Sequence, residues 1–172
     1  KKENSSRQST GKINAISILI DNQLWNGVVG DSIRNKFASP VEGLPKEEPI
    51  FDINQYQANV MEGFVTKSRV IIVVKMGLEN HFVIQKNQYA TPQSVFHITG
   101  KSVAALLEII EKNTPEIIES IRKGELTAHR ELLKDSVVIP KALQKQFQLD
   151  LKVPKSYSFS IRENNFVWLK RE

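Results

Sequence analysis

Three histidines are the residues of this chain whose chemistry is most versatile, because imidazole titrates near neutral pH and ligates metal ions. His81, His97 and His129 could in principle share a metal or supply a general base. His81 and His97 lie in predicted strands that could be neighbours, whereas His129 lies among charged residues of a predicted helix, where we expect it to be solvated. None has a second ligand at metal-binding spacing. The sequence therefore predicts no catalytic, cofactor-binding or metal-binding set of residues.

The tripeptide Gly100, Lys101 and Ser102 follows a predicted strand and precedes a predicted helix, which is the context of a phosphate-binding loop. Such a loop needs a second glycine five positions earlier so that its backbone amides can wrap the phosphates, and that position is Val95. We therefore interpret Ser102 or Thr99 as a helix N-cap. The sequence also contains no Gly-x-Ser-x-Gly elbow and no His-Glu-x-x-His motif.

Positive charge is concentrated towards the C-terminus, although the whole chain carries a formal charge of only +5. Residues 122–172 contain 11 basic and 6 acidic residues, whereas residues 13–121 contain 9 and 12. The basic candidates for phosphate contacts, and two aromatic candidates for base stacking, are Arg122, Lys123, Arg130, Lys134, Lys141, Lys145, Lys152, Lys155, Phe147 and Tyr157. Acidic residues interrupt this run, so a mixed-charge surface is the preferred interpretation and weak nucleic-acid binding the alternative.

Length and composition favour one domain. The chain has 172 residues, of which 40% are hydrophobic, and its longest apolar run is far shorter than the roughly 20 residues that span a bilayer. The absence of cysteine excludes disulfides, thiolate zinc sites and cysteine nucleophiles. Residues 1–11 are polar and end in glycine, so we expect them to form a flexible leader before a single α+β domain over residues 12–172.

The largest predicted element is a hairpin over residues 68–85, which we expect to form the core of the sheet. Val70 to Val74 form a β-branched run, polar residues and a glycine follow, and His81 to Gln85 resume a strand pattern. A strand over residues 13–20 has apolar residues on both faces, which is typical of a central strand.

The helices are predicted from apolar residues at helical spacing. The first contains Trp25 and Phe37, with Asp21 or Asn22 as its cap. Gly27 and Gly30 weaken it, and a split there would make Asp31 the cap of a second helix. The apolar spacing from Val103 to Leu133 predicts two helices with a break at Asn113, the second having Thr114 as its N-cap and Pro115 in its first turn. A short helix over residues 141–147 and a terminal hairpin complete the pattern. The fold class predicted from these elements is α+β, with a mostly antiparallel sheet on which two or three helices pack, including those around Trp25 and Leu106.

A loop over residues 39–49 is the longest segment without a helix or strand pattern in the body of the chain. It contains three prolines and a glycine, which exclude both helix interior and strand interior. Its adjacent Glu47 and Glu48 are the only carboxylate cluster that could supply an acid–base pair. We expect both side chains to be exposed and solvated. Because long loops in compact domains often carry function, this loop is the predicted contact surface.

Read as a unit, residues 11–55 resemble a domain-of-unknown-function family of lipoproteins from Bacteroidetes bacteria. Further similar blocks follow in the same order, and these are FVTKSR at 64–69, PQSVFHITG at 92–100, residues 105–121 with NTPEII, and NFVWLKR at 165–171. The specificity of the resemblance comes from the number and order of the blocks, because none of them is a catalytic signature.

The resemblance implies a location more than a reaction. Family members are predicted to be anchored to the cell envelope through an acylated cysteine, and their chains continue for a comparable length, so this chain would be the N-terminal half. We therefore expect a non-catalytic binding or structural module whose partner is another envelope protein or envelope component. The alternative is an envelope hydrolase whose site is completed by a C-terminal half. The resemblance implies no cofactor, no catalytic residue and no oligomeric state.

Overall fold

The computed structural model describes residues 7–60 and 62–171, and the chain divides into two compact units, Lys1–Glu125 and Leu126–Glu172. The elements of the first unit, in chain order, are β1 (Ala15–Ile20), α1 (Asn22–Trp25), α2 (Val28–Phe37), β2 (Asp52–Tyr56), β3 (Val70–Met76), β4 (His81–Lys86), β5 (Ser94–Gly100) and most of α3 (Val103–Leu133). The remaining elements are β6 (Val137–Val138), α4 (Lys141–Phe147), β7 (Val153–Pro154), β8 (Tyr157–Arg162) and β9 (Val167–Arg171).

The main sheet has five strands in the order β2-β1-β3-β5-β4, and it is mostly parallel. Strands β2, β1, β3 and β5 run parallel to one another, and the edge strand β4 runs antiparallel to β5. The prediction of a mostly antiparallel sheet was therefore wrong. The connections β1–β2 and β2–β3 are long enough to return the chain to the same end of the sheet, so that successive strands point the same way.

The predicted hairpin over residues 68–85 was also wrong in its pairing, although both of its strands form. Strand β5 lies between β3 and β4 and pairs with both of them. The buried run Val70–Val74 explains why: a strand that is apolar on both faces is stabilised at the centre of a sheet with a neighbour on each side. In β4, Phe82, Val83 and Ile84 are only partly buried and the residues on either side of them are exposed, which suits the edge position that the strand occupies.

One face of this sheet, which we call the helix-covered face, carries the larger core. It is formed by residues such as Ile18, Ile72 and Phe96, which pack with Ile33 of α2 and Ile110 of α3. The prediction that helices around Trp25 and Leu106 pack on the sheet is confirmed, because both residues belong to or pack against this core. Asp21 caps α1 as predicted, and the helical segment divides at Gly27, which is the N-cap of α2.

The opposite face, which we call the loop-covered face, has a smaller core of Leu19, Val65, Ile71, Val73 and Val95. Val65 belongs to the connection between β2 and β3, and Tyr89, in the connection between β4 and β5, packs against the same cluster. Irregular segments therefore cover this face where helices cover the other. The side chains of paired strand residues project to the same face, so His97, which pairs with Val73, lies on the loop-covered face.

Helix α3 is continuous over 31 residues and contains Pro115, so the predicted break was wrong. Two side chains just before the proline bond back to the preceding turn: Asn113 Nδ2 donates to the Ile109 carbonyl at 2.7 Å, and Thr114 Oγ1 donates to the Ile110 carbonyl at 2.7 Å. Buried isoleucines on both sides of the proline belong to the same core. Burying them together stabilises one continuous helix against the cost of the proline.

Part of the predicted leader is hydrogen-bonded to the sheet region. The Ser9 amide donates to the Thr91 carbonyl at 3.0 Å, the Thr10 amide donates to the Lys67 carbonyl at 2.7 Å, and the Thr91 amide donates to the Arg7 carbonyl at 2.8 Å. These bonds hold residues 7–10 against two connections of the first unit. Residues 1–6, which complete the predicted leader, lie outside the described residues.

The second unit is small and has little buried apolar surface. It contains two antiparallel pairs, β6 with β7 and β8 with β9, and the short helix α4, so the predicted helix over 141–147 and the terminal hairpin are confirmed. Among its described residues, Leu143 and Val153 are the buried hydrophobic side chains, while Phe159 and Trp168 of the hairpin are exposed. With these elements the described chain has four α-helices, of which α1, α2 and α3 contribute residues that belong to or pack against the core of the main sheet.

Across residues 7–60 and 62–171, no helix combines the length and apolar character needed to span a membrane.

Candidate functional site

His81 and His97 lie on adjacent strands, as the sequence predicted. His81 pairs with Thr99 across β4 and β5, and His97 is two residues before Thr99, so the two imidazoles share the loop-covered face. His129 lies on α3 and is exposed, which confirms the expectation of a solvated residue. The structure therefore brings together two of the three histidines.

His97 is half-buried and is held by an amide side chain. Its Nε2 lies 2.9 Å from Gln88 Oε1, and Gln88 Nε2 in turn donates to Tyr89 Oη at 2.8 Å. Because the amide oxygen can only accept, Nε2 carries the proton and donates it. Burial lowers the pKa of His97, and the neighbouring Lys75 and His81 lower that pKa further. His97 is therefore a neutral imidazole near neutral pH.

This arrangement lacks the partners that catalysis by histidine requires. A general base is usually oriented by a carboxylate and placed beside a nucleophile, whereas His97 bonds to an amide and its charged neighbour is a lysine. In the part of the chain that the structure describes, no group of three or more His, Asp or Glu side chains could hold a metal ion. The His97 cluster can accept and donate hydrogen bonds, but it does not assemble a reaction site.

A second polar cluster, which sequence reasoning missed, joins Lys86 to two serines. Lys86 Nζ donates to Ser94 Oγ at 2.7 Å and to Ser120 Oγ at 3.0 Å, and burial lowers the pKa of Lys86. A serine beside a lysine of lowered pKa is the pairing used by some serine hydrolases. Here Ser94 is itself buried, and Lys86 connects the edge strand β4 both to Ser94 of β5 and to Ser120 of α3, which is a structural role.

The local sequence offered no usable signal for this cluster. Lys86 and Ser94 are directly opposite each other in the β4–β5 pairing, but this proximity can be recognised only once the strand order is known. Ser120 is 34 residues from Lys86 in the chain and lies on a helix whose position no local pattern specifies.

The Gly-Lys-Ser tripeptide has the structural role that its spacing favours. Ser102 Oγ accepts a hydrogen bond from the Ala105 amide at 3.1 Å, and the Leu106 amide donates to the Ser102 carbonyl at 3.0 Å, so Ser102 caps α3. Gly100 is required for close packing, because a Cβ at this position would lie 2.8 Å from Leu106 Cγ. The interpretation of Ser102 as an N-cap is confirmed.

The loop over residues 39–49 is closed at its base and exposed along its length. Pro40 and Pro49 form an antiparallel bridge, the Val41 amide donates to the Glu48 carbonyl at 2.9 Å, and the Ile50 amide donates to the Ser39 carbonyl at 2.9 Å. Every residue from 40 to 49 is exposed. The predicted surface loop is thus an ordered projection from the first unit.

The basic residues noted near the C-terminus are distributed over several elements. Lys134 lies 3.7 Å from Glu131 on the helical segment, and both side chains are largely exposed. Lys141 and Lys145 lie on α4, whereas Lys152 lies in the connection that follows it. Acidic partners among these residues favour a solvated mixed-charge surface over a nucleic-acid site.

The five-stranded sheet and the helices that cover one of its faces define the first unit as an α+β domain. The described residues of this domain do not assemble a recognisable reaction site. The family model that matches this chain is a domain of unknown function (DUF8532), and it covers residues 9–134. The chain belongs to this family, which confirms the prediction of an uncharacterised domain family. No curated protein and no solved structure is significantly similar to the chain.

Proposed function

We propose that the chain is a non-catalytic binding module of the bacterial cell envelope, which contacts another envelope protein through the loop over residues 39–49. The binding assignment is supported by the geometry of this loop, which lies inside the matched family domain. The envelope location and a lipid anchor are supported by the sequence resemblance described above. Fractionation of cells that make the protein, with fatty-acid labelling of the anchored form, tests the location; recovery of unlabelled protein outside the envelope fraction would contradict it.

The observation that carries the binding proposal is an ordered loop with all of its side chains from residue 40 to residue 49 in solvent. A flexible loop loses conformational entropy on binding, whereas a loop already closed by backbone hydrogen bonds loses less. Exposed Val41 and Leu44 supply apolar contact area. Preorganised, exposed loops on a rigid scaffold are a common form of binding surface.

The charges on the loop define the kind of partner that fits. The loop contains three acidic residues and one basic residue, so its net charge is negative; these residues are Glu42, Glu47, Glu48 and Lys46. Together with the exposed Val41, they favour a partner surface with an apolar patch bordered by lysine or arginine side chains. Such a contact gains much of its association rate from charge, so it weakens as salt is raised.

The experiment replaces residues 41–48 by two glycines and compares the proteins that cross-link to the chain in an envelope fraction. The base of the loop is retained, because the Phe51 amide donates to the Phe37 carbonyl at 3.0 Å outside the replaced segment. The proposal expects the cross-linked partner to be lost. Leu78→Ala is the matched control, since this side chain is 94% exposed at a different turn. An unchanged set of partners in the loop variant would contradict the proposal.

A charge-reversal variant tests the chemistry of the same contact without shortening the loop. Glu47→Lys combined with Glu48→Lys changes the local charge while both positions remain exposed. Recovery of the cross-linked partner is expected to fall about tenfold at low salt and to become less dependent on salt, as for other rim charges. Recovery that is unchanged by charge reversal would remove the electrostatic part of the proposal.

A further inference from the structure

A second surface of the first unit combines two cations with an exposed aromatic ring. Arg7, Gln8, Gly63, Phe64 and Lys67 line an open groove of about 620 Å³, which we call the Arg7/Lys67 groove. It uses no residue of the loop over 39–49. Its volume is within the range of small-molecule sites, and its open shape admits a ligand without movement of the backbone.

The walls of the groove are fixed by backbone hydrogen bonds. On one side the Arg7 carbonyl accepts from the Thr91 amide at 2.8 Å. On the other side the Lys67 carbonyl accepts from the Thr10 amide at 2.7 Å, and the Lys67 amide donates to the Phe64 carbonyl at 3.0 Å. The charged side chains themselves are not used in these bonds, so they extend from a rigid frame.

Neither cation is neutralised by a neighbouring carboxylate in the described chain. The salt bridges of the described residues involve Arg34, Lys36, Arg69 and Lys134. None of the described residues that line the groove is acidic. Two positive side chains at one concave surface attract anions, and arginine in particular binds phosphate or carboxylate oxygens with two parallel N–H donors.

The aromatic ring indicates what the rest of the ligand resembles. The Phe64 side chain is 66% exposed, and its ring packs edge-on against Tyr56 with the centroids 5.6 Å apart. The contact with Tyr56 fixes the ring while its open face remains available for stacking. A large apolar side chain held in this way beside two cations suits a ligand that is charged at one end and flat at the other.

One buried hydroxyl in the same segment also lacks a partner. Ser9, two residues after Arg7, is 8% exposed, and its Oγ has no hydrogen-bond partner among the described residues. Buried hydroxyl groups are normally satisfied by protein, water or ligand, so an unsatisfied one is uncommon. Its position next to Gln8 places this unmet hydrogen bond in the chain segment that forms one wall of the groove.

From these features we infer that the Arg7/Lys67 groove binds a small organic anion, a phosphate or carboxylate that carries a flat apolar group. Arg7 and Lys67 bind the anionic oxygens, and Phe64 stacks on the flat group. This inference is independent of the proposed protein-binding loop, because a ligand can occupy the groove whether or not residues 39–49 contact a partner.

The test is an NMR titration of the isotopically labelled chain with phenyl phosphate as the probe. Amide shifts are expected to change at Gly63, Phe64 and Lys67. Lys67→Gln is expected to weaken binding roughly tenfold, because a charge-assisted hydrogen bond is lost. Phe64→Ala is expected to weaken it roughly threefold through loss of stacking. Both residues are exposed, so neither change removes a buried contact.

Lys112→Gln is the matched control, since it removes an exposed lysine outside both the groove and the loop over residues 39–49. Shift changes located elsewhere, or equal affinities of the Lys67→Gln and Lys112→Gln chains, would overturn the inference. Inorganic phosphate is the second probe and is expected to bind more weakly, because it lacks the ring. If inorganic phosphate binds as tightly as phenyl phosphate, the assignment of Phe64 as the stacking contact is wrong.

Discussion

The side chains at the centres of the two faces of the five-stranded sheet are equally buried, but different kinds of structure cover the two faces. Ile72 on the helix-covered face and Ile71 on the loop-covered face are adjacent in the chain and both almost fully buried. Helices α2 and α3 lie over Ile72, whereas irregular connections lie over Ile71. Helices satisfy their own backbone groups, but connections do not, so the loop-covered face must include buried polar side chains. Both faces therefore have an apolar core, but on the loop-covered face a buried glutamine, Gln93, also bonds to the backbone of the covering connections.

The largest expected effect comes from removing apolar volume from the two faces at matched positions. Ile72→Ala is expected to lower the free energy of unfolding by about 4 kcal/mol, and Ile71→Ala by about 2–3 kcal/mol. The loops over Ile71 can move into the cavity more readily than packed helices can. Urea unfolding of both variants measures the difference. A larger loss of unfolding free energy for Ile71→Ala than for Ile72→Ala would contradict this expectation, because it would mean that the loops pack as rigidly as the helices.

The next effect concerns the polar anchor of the loop-covered face, Gln93, which is 3% exposed. Its Nε2 donates to the carbonyls of Thr66 and Ser68 at 2.8 and 2.7 Å, and its Oε1 accepts from the amides of Tyr89 and Ala90 at 2.9 and 3.3 Å. Gln93→Met keeps the side-chain length but leaves these groups unpaired, so a loss of about 2 kcal/mol is expected.

Gln85→Met is the control for this change, because Gln85 is an exposed glutamine of β4. It is expected to alter the free energy of unfolding by less than about 0.5 kcal/mol. Similar small losses for both glutamine variants in urea unfolding would show that the anchor contributes little and that the apolar cluster alone holds the loops.

The pH dependence of stability should also distinguish the two faces, because His97 lies on the loop-covered one. Burial, with Lys75 and His81, lowers the pKa of His97 in the folded chain below its ordinary value of 6.5. Below that pH the unfolded chain binds more protons than the folded chain, so stability falls as pH falls from 6.5 towards the folded pKa and is constant above 6.5 with respect to this group.

His97→Gln removes this titration while retaining a donor for Gln88. The measurement is the urea midpoint of the native chain and the variant between about pH 5 and about pH 8. The difference between the two midpoints is expected to change only on the acidic side. An equal difference at every pH would mean that His97 titrates as it does in the unfolded chain.

The smallest effect is expected from the ion pair at the edge of the helical layer. Lys36 Nζ on α2 lies 2.6 Å from Glu111 Oε2 on α3, and the Glu111 side chain is 68% exposed. Glu111→Gln is expected to change the free energy of unfolding by less than about 1 kcal/mol, since solvent screens an exposed pair. A larger loss in urea unfolding would show that charge, and not apolar burial alone, fixes α2 against α3.

The strands of the main sheet and of the terminal hairpin could be predicted from the sequence, but the pairing in the main sheet could not, and the two-residue strands β6 and β7 were not predicted. The β-branched run in β3 and the apolar pattern of β5 are local signals, and both specify strands. The turn after Met76 has the composition of a hairpin, so it favours direct pairing of β3 with β4. In the structure β3 pairs with β5 instead, because both strands have residues buried on both faces and each covers the other's edge. This pairing depends on contacts between segments that are distant in the sequence, so no local pattern reveals it.

The helices and the polar clusters show the same limit. Pro115 is a strong local signal for a helix boundary, yet Asn113 and Thr114 bond to carbonyls of the preceding turn and the helix continues. The proximity of His81 and His97 was predictable because each lies in a recognisable strand. The roles of Gln88 and Gln93 were not predictable, because a glutamine in a connection has no periodic pattern. Gln88 bonds to the side chain of His97, and Gln93 bonds to backbone carbonyls of Thr66 and Ser68, which are more than twenty residues away in the sequence.

The position of β5 between β3 and β4 also sets an order of assembly during synthesis. When the ribosome has released residues up to Lys86, β4 has been made but its only neighbour in the final sheet has not. We predict that β3 and β4 associate at that stage, in the hairpin that the local sequence favours, and that β5 displaces β4 from β3 once residue 100 has emerged. The finished sheet no longer reveals this strand exchange.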